Sequence, residues 1–108
     1  MSARLLVVDD DTGIRDGLAE RFRARGFDVA TAASGAEALE RARSGPDVVL
    51  LDLQLPRGDG LWVLSKLAEE EIETTVIVLT AYGTVARAVE AMKAGAYDFL
   101  EKPFEPAR

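Results

Sequence analysis

The chain has 108 residues, 48% apolar and 30% charged, the balance of a single ordinary globular domain. It contains no cysteine and no histidine, which excludes disulfides, thiolate centres, imidazole catalysis and most zinc sites. Its net charge of −6 argues against nucleic-acid binding by this domain and against attraction to an anionic membrane surface, both of which need clustered Lys and Arg.

Leu5, Leu6, Val7 and Val8 form a short apolar run stopped by Asp9, Asp10 and Asp11, the pattern of a strand buried on both faces. Ile14, Leu18 and Phe22 follow at four-residue spacing and predict a first helix, capped by Asp11 or Thr12 and stopped at Gly26. Arg15, Arg21, Arg23 and Arg25 read as its solvated face. A weaker strand is expected over 27–32. Ser34 with Glu37 three residues on is a capping-box pattern, and Ala36, Leu39 and Ala42 continue a second helix until Gly45 and Pro46 break it. The third strand, over 48–51, is the strongest in the chain and ends at Asp52. Residues 56–60 are a loop rich in breakers. Leu61, Leu64 and Leu67 mark a third helix, closed by the acidic stretch 69–73. A β-branched strand over 75–79 ends at Thr80. Val85, Val89 and Met92 carry a fourth helix, followed by Gly95. A short fifth strand, 98–101, ends at Lys102 and Pro103.

Strands alternating with helices of this length imply βαβ units, right-handed crossovers and a doubly wound parallel sheet with helices on both faces. In such sheets ligands bind beyond the carboxyl ends of the strands. The residues that end the strands are Asp9, Asp10, Asp52, Thr80 and Lys102, so they are expected to converge. Clustered carboxylates repel one another, and an all-oxygen donor set favours a hard divalent cation, Mg²⁺ first and Mn²⁺ second. A carboxylate can attack phosphorus, a lysine can pair with a phosphoryl oxygen, and a threonine can donate to another. The residues alone therefore point to a metal-assisted phospho-acceptor.

Val7-Val8-Asp9-Asp10, Val48-Val49-Leu50-Leu51-Asp52, Leu79-Thr80-Ala81 and Lys102-Pro103-Phe104 together resemble the receiver domains of bacterial two-component response regulators. The likeness covers essentially the whole chain, 1–108, as one domain. The runs Ala81-Tyr82-Gly83-Thr84 and Ala94-Gly95-Ala96-Tyr97-Asp98-Phe99 are similar to receivers of nitrogen-regulator-type transcription activators. The resemblance implies a flavodoxin-like five-stranded sheet in the order 2-1-3-4-5. It implies that Asp52 is phosphorylated. Asp10, Asp52 and the backbone carbonyl of Gln54 would hold Mg²⁺, with Asp9 acting through water. Thr80 and Lys102 would bind phosphoryl oxygens, and the Lys102–Pro103 bond would be cis. Thr80 and Phe99 would form the switch, with Phe99 packed in the core at rest. Gln54 and Tyr82 would tune the lifetime of the acyl phosphate. Trp62 and Tyr97 read as packing or surface aromatics.

The same resemblance names the partners: a sensor histidine kinase or phosphotransfer protein, and an output domain that could bind DNA in a longer protein. No membrane partner is expected, and the N-terminus lacks signal-peptide character, so the cytoplasm is the expected location. Receivers carry a fifth helix after Lys-Pro, whereas this sequence stops at Arg108. A truncated fifth helix is therefore expected, with reduced stability or self-association to cover exposed apolar surface. A homodimer is a further expectation, with part of the usual dimer face removed.

Three rival functions are weaker. Phosphatases with an aspartyl nucleophile want a second Asp two residues on, and Gln54 stands there. A nucleotide site would need a Gly-rich turn after the first strand, where three aspartates stand instead. A phosphorylation-independent interaction module on the same fold would lose the site residues, and all of them are present.

Overall fold

The computed structural model describes residues 2–57, 59–80 and 85–101. The elements run β1 (Arg4–Val8), α1 (Thr12–Ala24), β2 (Asp28–Ala32), α2 (Gly35–Ala42), β3 (Val48–Asp52), α3 (Gly60–Glu69), β4 (Thr75–Thr80), α4 (Val85–Lys93) and β5 (Asp98–Glu101). All strand pairings are parallel, and the order is β2-β1-β3-β4-β5, as the resemblance implies.

Side chains alternate along each strand, so the sheet has two apolar faces. Leu6, Val8, Val49, Leu51, Val76 and Val78 meet α2, α3 and α4 on one side. Leu5, Val7, Leu50 and Leu79 meet α1 through Ala19, Leu18 and Phe22 on the other. This double burial is why the central strands read as unbroken apolar runs rather than as alternating ones.

The helix starts follow side-chain chemistry. Asp11 Oδ1 accepts from the Ile14 amide at 3.0 Å, Ser34 Oγ from the Glu37 amide at 3.2 Å, and Asp59 Oδ1 from the Trp62 amide at 3.1 Å. The expected capping box is offset by one residue: the Glu37 carboxylate accepts from the Ala33 amide at 2.8 Å, one position before the cap. That bond, opposed by partial burial and helped by Arg41, holds the Glu37 carboxyl below its usual range. Past the end of α1, Gly26 has φ of 93°, a left-handed conformation that glycine adopts without steric cost.

Three packing expectations need correction. Among the described side chains of α4, the fully buried ones are Ala88 and Ala91, while Val89 and Met92 face outward. Small residues let the helix lie close to the sheet, and spacing alone cannot say which stripe turns inward. In α2 the buried set is Gly35, Ala38, Leu39 and Ala42, with Ala36 on the exposed side. Phe99 is 36% exposed rather than enclosed, because β5 is an edge strand whose described residues are all exposed. Tyr97 lies on the surface and Trp62 is partly exposed. Tyr82, Lys102, the Lys102–Pro103 bond and the segment read as a truncated fifth helix lie outside the described residues.

Candidate functional site

The register of the two central strands builds the site. Val8 pairs with Leu51, so Asp9 and Asp52 leave the sheet side by side at its carboxyl edge. The carboxylates of Asp9, Asp10 and Asp52 each offer an oxygen within 4.8 Å of the others. Asp9 and Asp52 are buried, and Asp10 is exposed, so the cluster has one side open to solvent.

Backbone donors orient the two buried acids. Asp52 Oδ1 accepts from the Gln54 amide at 3.0 Å, and Asp9 Oδ1 accepts from the Asp11 amide at 2.9 Å. The Asp9 amide donates to the Ala32 carbonyl at 3.1 Å, which ties the end of β1 to the end of β2. Thr80, buried at the end of β4, comes directly after Leu79, whose register partner is Asp52. The Leu53 amide also donates to the Leu79 carbonyl at 3.1 Å, so the turn after β3 stays against the end of β4. Gln54 has an exposed side chain beside this turn. Thr80 pairs with Glu101 across β4 and β5, the last pair of the described ladder.

The donor set fits a hard divalent cation. All its atoms are oxygens, the carboxylates converge within reach of one ion, and their like charges repel when nothing positive stands between them. Mg²⁺ suits such a site, since it uses one or two carboxylates and leaves other positions to water or phosphate oxygens.

Two features near the site escaped the sequence reading. Arg15, taken as part of a solvated face, has a side chain only 17% exposed and donates from Nη1 to the Asp9 carbonyl at 3.0 Å. Its place one turn into a helix that follows three aspartates was the available signal. Arg87 reaches from α4 to the β3–α3 loop, where Nη2 donates to Asp59 Oδ2 at 3.0 Å and to the Leu53 carbonyl at 3.4 Å. A cation in the first turn of a helix opposes the helix dipole, which marks that position as needing another reason. From the other side, the α2 amides of Gly35 and Ala36 donate to the Pro56 and Arg57 carbonyls at 3.2 and 3.0 Å. Arg57 has φ of 52°, a left-handed conformation that a side chain disfavours.

A 2-1-3-4-5 parallel sheet with an oxygen-rich acidic cluster at its carboxyl edge defines a flavodoxin-like domain with an acidic site at its ligand-binding edge. Residues 5–108 match the response regulator receiver domain, and the chain belongs to that family, whose members are phospho-accepting regulatory modules rather than turnover enzymes. The regulatory protein AtoC of Escherichia coli K12 is 42% identical over 103 residues, covering 94% of this chain and 22% of AtoC. The acid tolerance regulatory protein ActR of Rhizobium meliloti is 45% identical over 100 residues, covering 92% of this chain and 52% of ActR. The chain thus spans about half or less of these curated relatives. The crystal structure of NtrX from Brucella abortus superposes with a TM-score of 0.89 at 38% identity, covering 97% of this chain and 24% of NtrX. The signal receiver domain of a LuxO repressor protein from Vibrio parahaemolyticus also superposes at 0.89, with 35% identity, covering 97% of this chain and 82% of that one. Among the described residues, no helix is long and apolar enough to cross a membrane.

Proposed function

We propose that Asp52 accepts a phosphoryl group from the phosphohistidine of a sensor histidine kinase or phosphotransfer protein, and that the change at α4 and β5 then controls an output domain. The observation that carries this reading is the convergence of Asp9, Asp10 and Asp52, from the ends of two adjacent central strands, within 4.8 Å. A carboxylate oxygen of Asp52 attacks phosphorus, the P–N bond to the donor imidazole breaks, and its electron pair stays on nitrogen. In its carboxylate form the nucleophile carries no proton, so no base has to remove one. The Gln54 amide on Oδ1 holds the carboxylate in one orientation.

Asp10, Asp52 and the Gln54 carbonyl would hold Mg²⁺, with Asp9 acting through water. When bound, the ion offsets the charge of the carboxylates and of the phosphoryl oxygens. Thr80 would donate its hydroxyl to one phosphoryl oxygen, and Lys102 would pair with another. Gln54 and Tyr82 would set how fast water reaches the acyl phosphate. Thr80 and Phe99 would form the switch. A partly exposed Phe99 on β5 and outward-facing Val89 and Met92 on α4 support a surface that changes its partner when phosphorylated. The relatives named as regulatory proteins, and the structural neighbour named as a repressor protein, support a regulatory output.

The test is intact mass after incubation with acetyl phosphate or phosphoramidate, with and without Mg²⁺, for wild type and Asp52→Ala. The expected result is a gain of one phosphoryl group that requires both Mg²⁺ and Asp52. No gain in a folded chain would overturn the acceptor reading and favour an interaction module that works without phosphorylation.

A further inference from the structure

Arg87 is the one described side chain whose guanidinium ties α4 to the loop after β3, and its geometry is costly. The side chain is 31% exposed, and Nε is buried without a hydrogen bond among the described residues. Among the described residues, the guanidinium's hydrogen bonds are made by Nη2, to the Asp59 carboxylate and the Leu53 carbonyl.

The Leu53 carbonyl and the Gln54 amide belong to the same planar peptide unit. The oxygen of that unit accepts from Arg87 at 3.4 Å and from the Gly60 amide at 3.0 Å. Its N–H donates to Asp52 Oδ1 at 3.0 Å. A rigid plane with α4 on one edge and the Asp52 carboxylate on the other cannot turn for one without turning for the other. The Asp59 contact holds the far end of the same loop, where Asp59 also caps α3.

We propose that Arg87 is a positioning residue of the acceptor site, coupling the placement of α4 to the orientation of the Leu53–Gln54 peptide and hence of Asp52. The inference rests on the reading of Asp52 and Gln54 as the metal and acceptor residues. It makes the coupling reciprocal: occupation of the acidic cluster shifts α4, and displacement of α4 weakens occupation.

The experiment compares the chain as it stands with Arg87→Met, Arg87→Lys and Asp59→Asn. Mg²⁺ affinity is measured by calorimetry, amide shifts by NMR, and melting temperature by circular dichroism. The last two variants guard against a misfolded Arg87→Met, because Lys keeps the charge and Asn keeps a capping oxygen. Arg87→Met is expected to weaken Mg²⁺ binding about threefold to tenfold, within the range by which residues between two sites modulate coupling. It is also expected to move the Gln54 amide resonance in the metal-free chain and to diminish the response of α4 amides to Mg²⁺. Arg87→Lys should recover part of each effect, and Asp59→Asn should move them the same way. A lowered melting temperature with unchanged Mg²⁺ affinity and an unchanged Gln54 resonance would overturn the proposal and leave Arg87 a surface staple. If the Asp10→Asn and Asp52→Asn chains bind Mg²⁺ as the wild-type chain does, the acceptor-site reading itself fails, and this inference fails with it.

Discussion

Replacing Gly60 with alanine sets two physical effects against each other. Gly60 opens α3, and its backbone is pressed against the end of β3. A Cβ there would lie 2.7 Å from Leu53 Cα, 2.8 Å from the Asp52 carbonyl oxygen and 2.8 Å from Leu53 Cδ2. Helix propensity alone favours alanine over glycine by about 1 kcal/mol, less at a first-turn position. Overpacking costs about 1–3 kcal/mol, and two of the three atoms met are backbone that cannot rotate away, which puts this site toward the upper end. The net expectation is destabilisation of roughly 1–2 kcal/mol, or a melting temperature lower by roughly 5–15 °C for a domain of this size. The displaced atoms flank Asp52 and the Leu53 peptide, so phosphorylation by acetyl phosphate should slow in chains that remain folded. Thermal melts followed by circular dichroism, with mass-spectrometric labelling well below the transition, check both parts. A melting temperature equal to or above wild type would refute the steric argument.

Mg²⁺ should stabilise the wild-type chain against urea by about 1.4 kcal/mol at tenfold its dissociation constant, and Asp52→Asn should largely lose this effect. Without metal, Asp52→Asn should be the more stable chain, because it removes one of the mutually repelling carboxylates; equal stabilities in both conditions would count against the clustered charges. Burial raises the Asp59 carboxyl pKa, but the Trp62 amide and the Arg87 guanidinium outweigh it, and the net shift is below the ordinary 3.8. A folded-state value below the unfolded one means stability that is present above 3.8 and lost as pH falls through the lowered value. Urea titrations from about pH 5 down to about pH 3 should show wild type losing more than Asp59→Asn, by less than about 1 kcal/mol because this exposed pair is screened by water. Arg57→Gly should raise stability by up to about 1 kcal/mol by relieving a left-handed φ, and a lowered urea midpoint would show that the Arg57 side chain holds the loop in some other way.

The sheet was legible because β1 and β3 carry apolar runs buried on both faces, and an aspartate follows the first and closes the second. A parallel sheet makes strand ends converge, so the acidic cluster followed from chain order without any knowledge of distances. Asp11 as the α1 cap was legible for a local reason, since the bond spans three residues. What stayed hidden depended on helix rotation and on contacts distant in sequence. Arg15 reads like Arg21 and Arg23 until the helix is set down on the sheet, and only then does it point at the Asp9 carbonyl. Val89 and Met92 looked like an inward stripe because hydrophobicity was weighed without size. The alanines at 88 and 91 give the flatter face, and the sheet takes that one. The bond between Arg87 and Asp59 joins residues 28 apart, a separation that no periodicity encodes.

The same choice of face explains why α4 is the element suited to move. Helix α3 buries Val63, Leu64 and Leu67, each contributing about 1.5–3 kcal/mol, so displacing it would expose roughly 5–9 kcal/mol of apolar contact. The fully buried side chains described in α4 are Ala88 and Ala91, one methyl each, or roughly 1–2 kcal/mol together. An event at the acidic cluster worth a few kcal/mol could shift α4 and could not dislodge α3. The larger side chains Val89 and Met92 already face outward, so a shift of α4 rearranges apolar surface that a partner can read without first breaking the core. With so shallow an anchorage, the polar contacts of Arg87 add to what fixes the position of α4, and the loop after β3 lies at their other end.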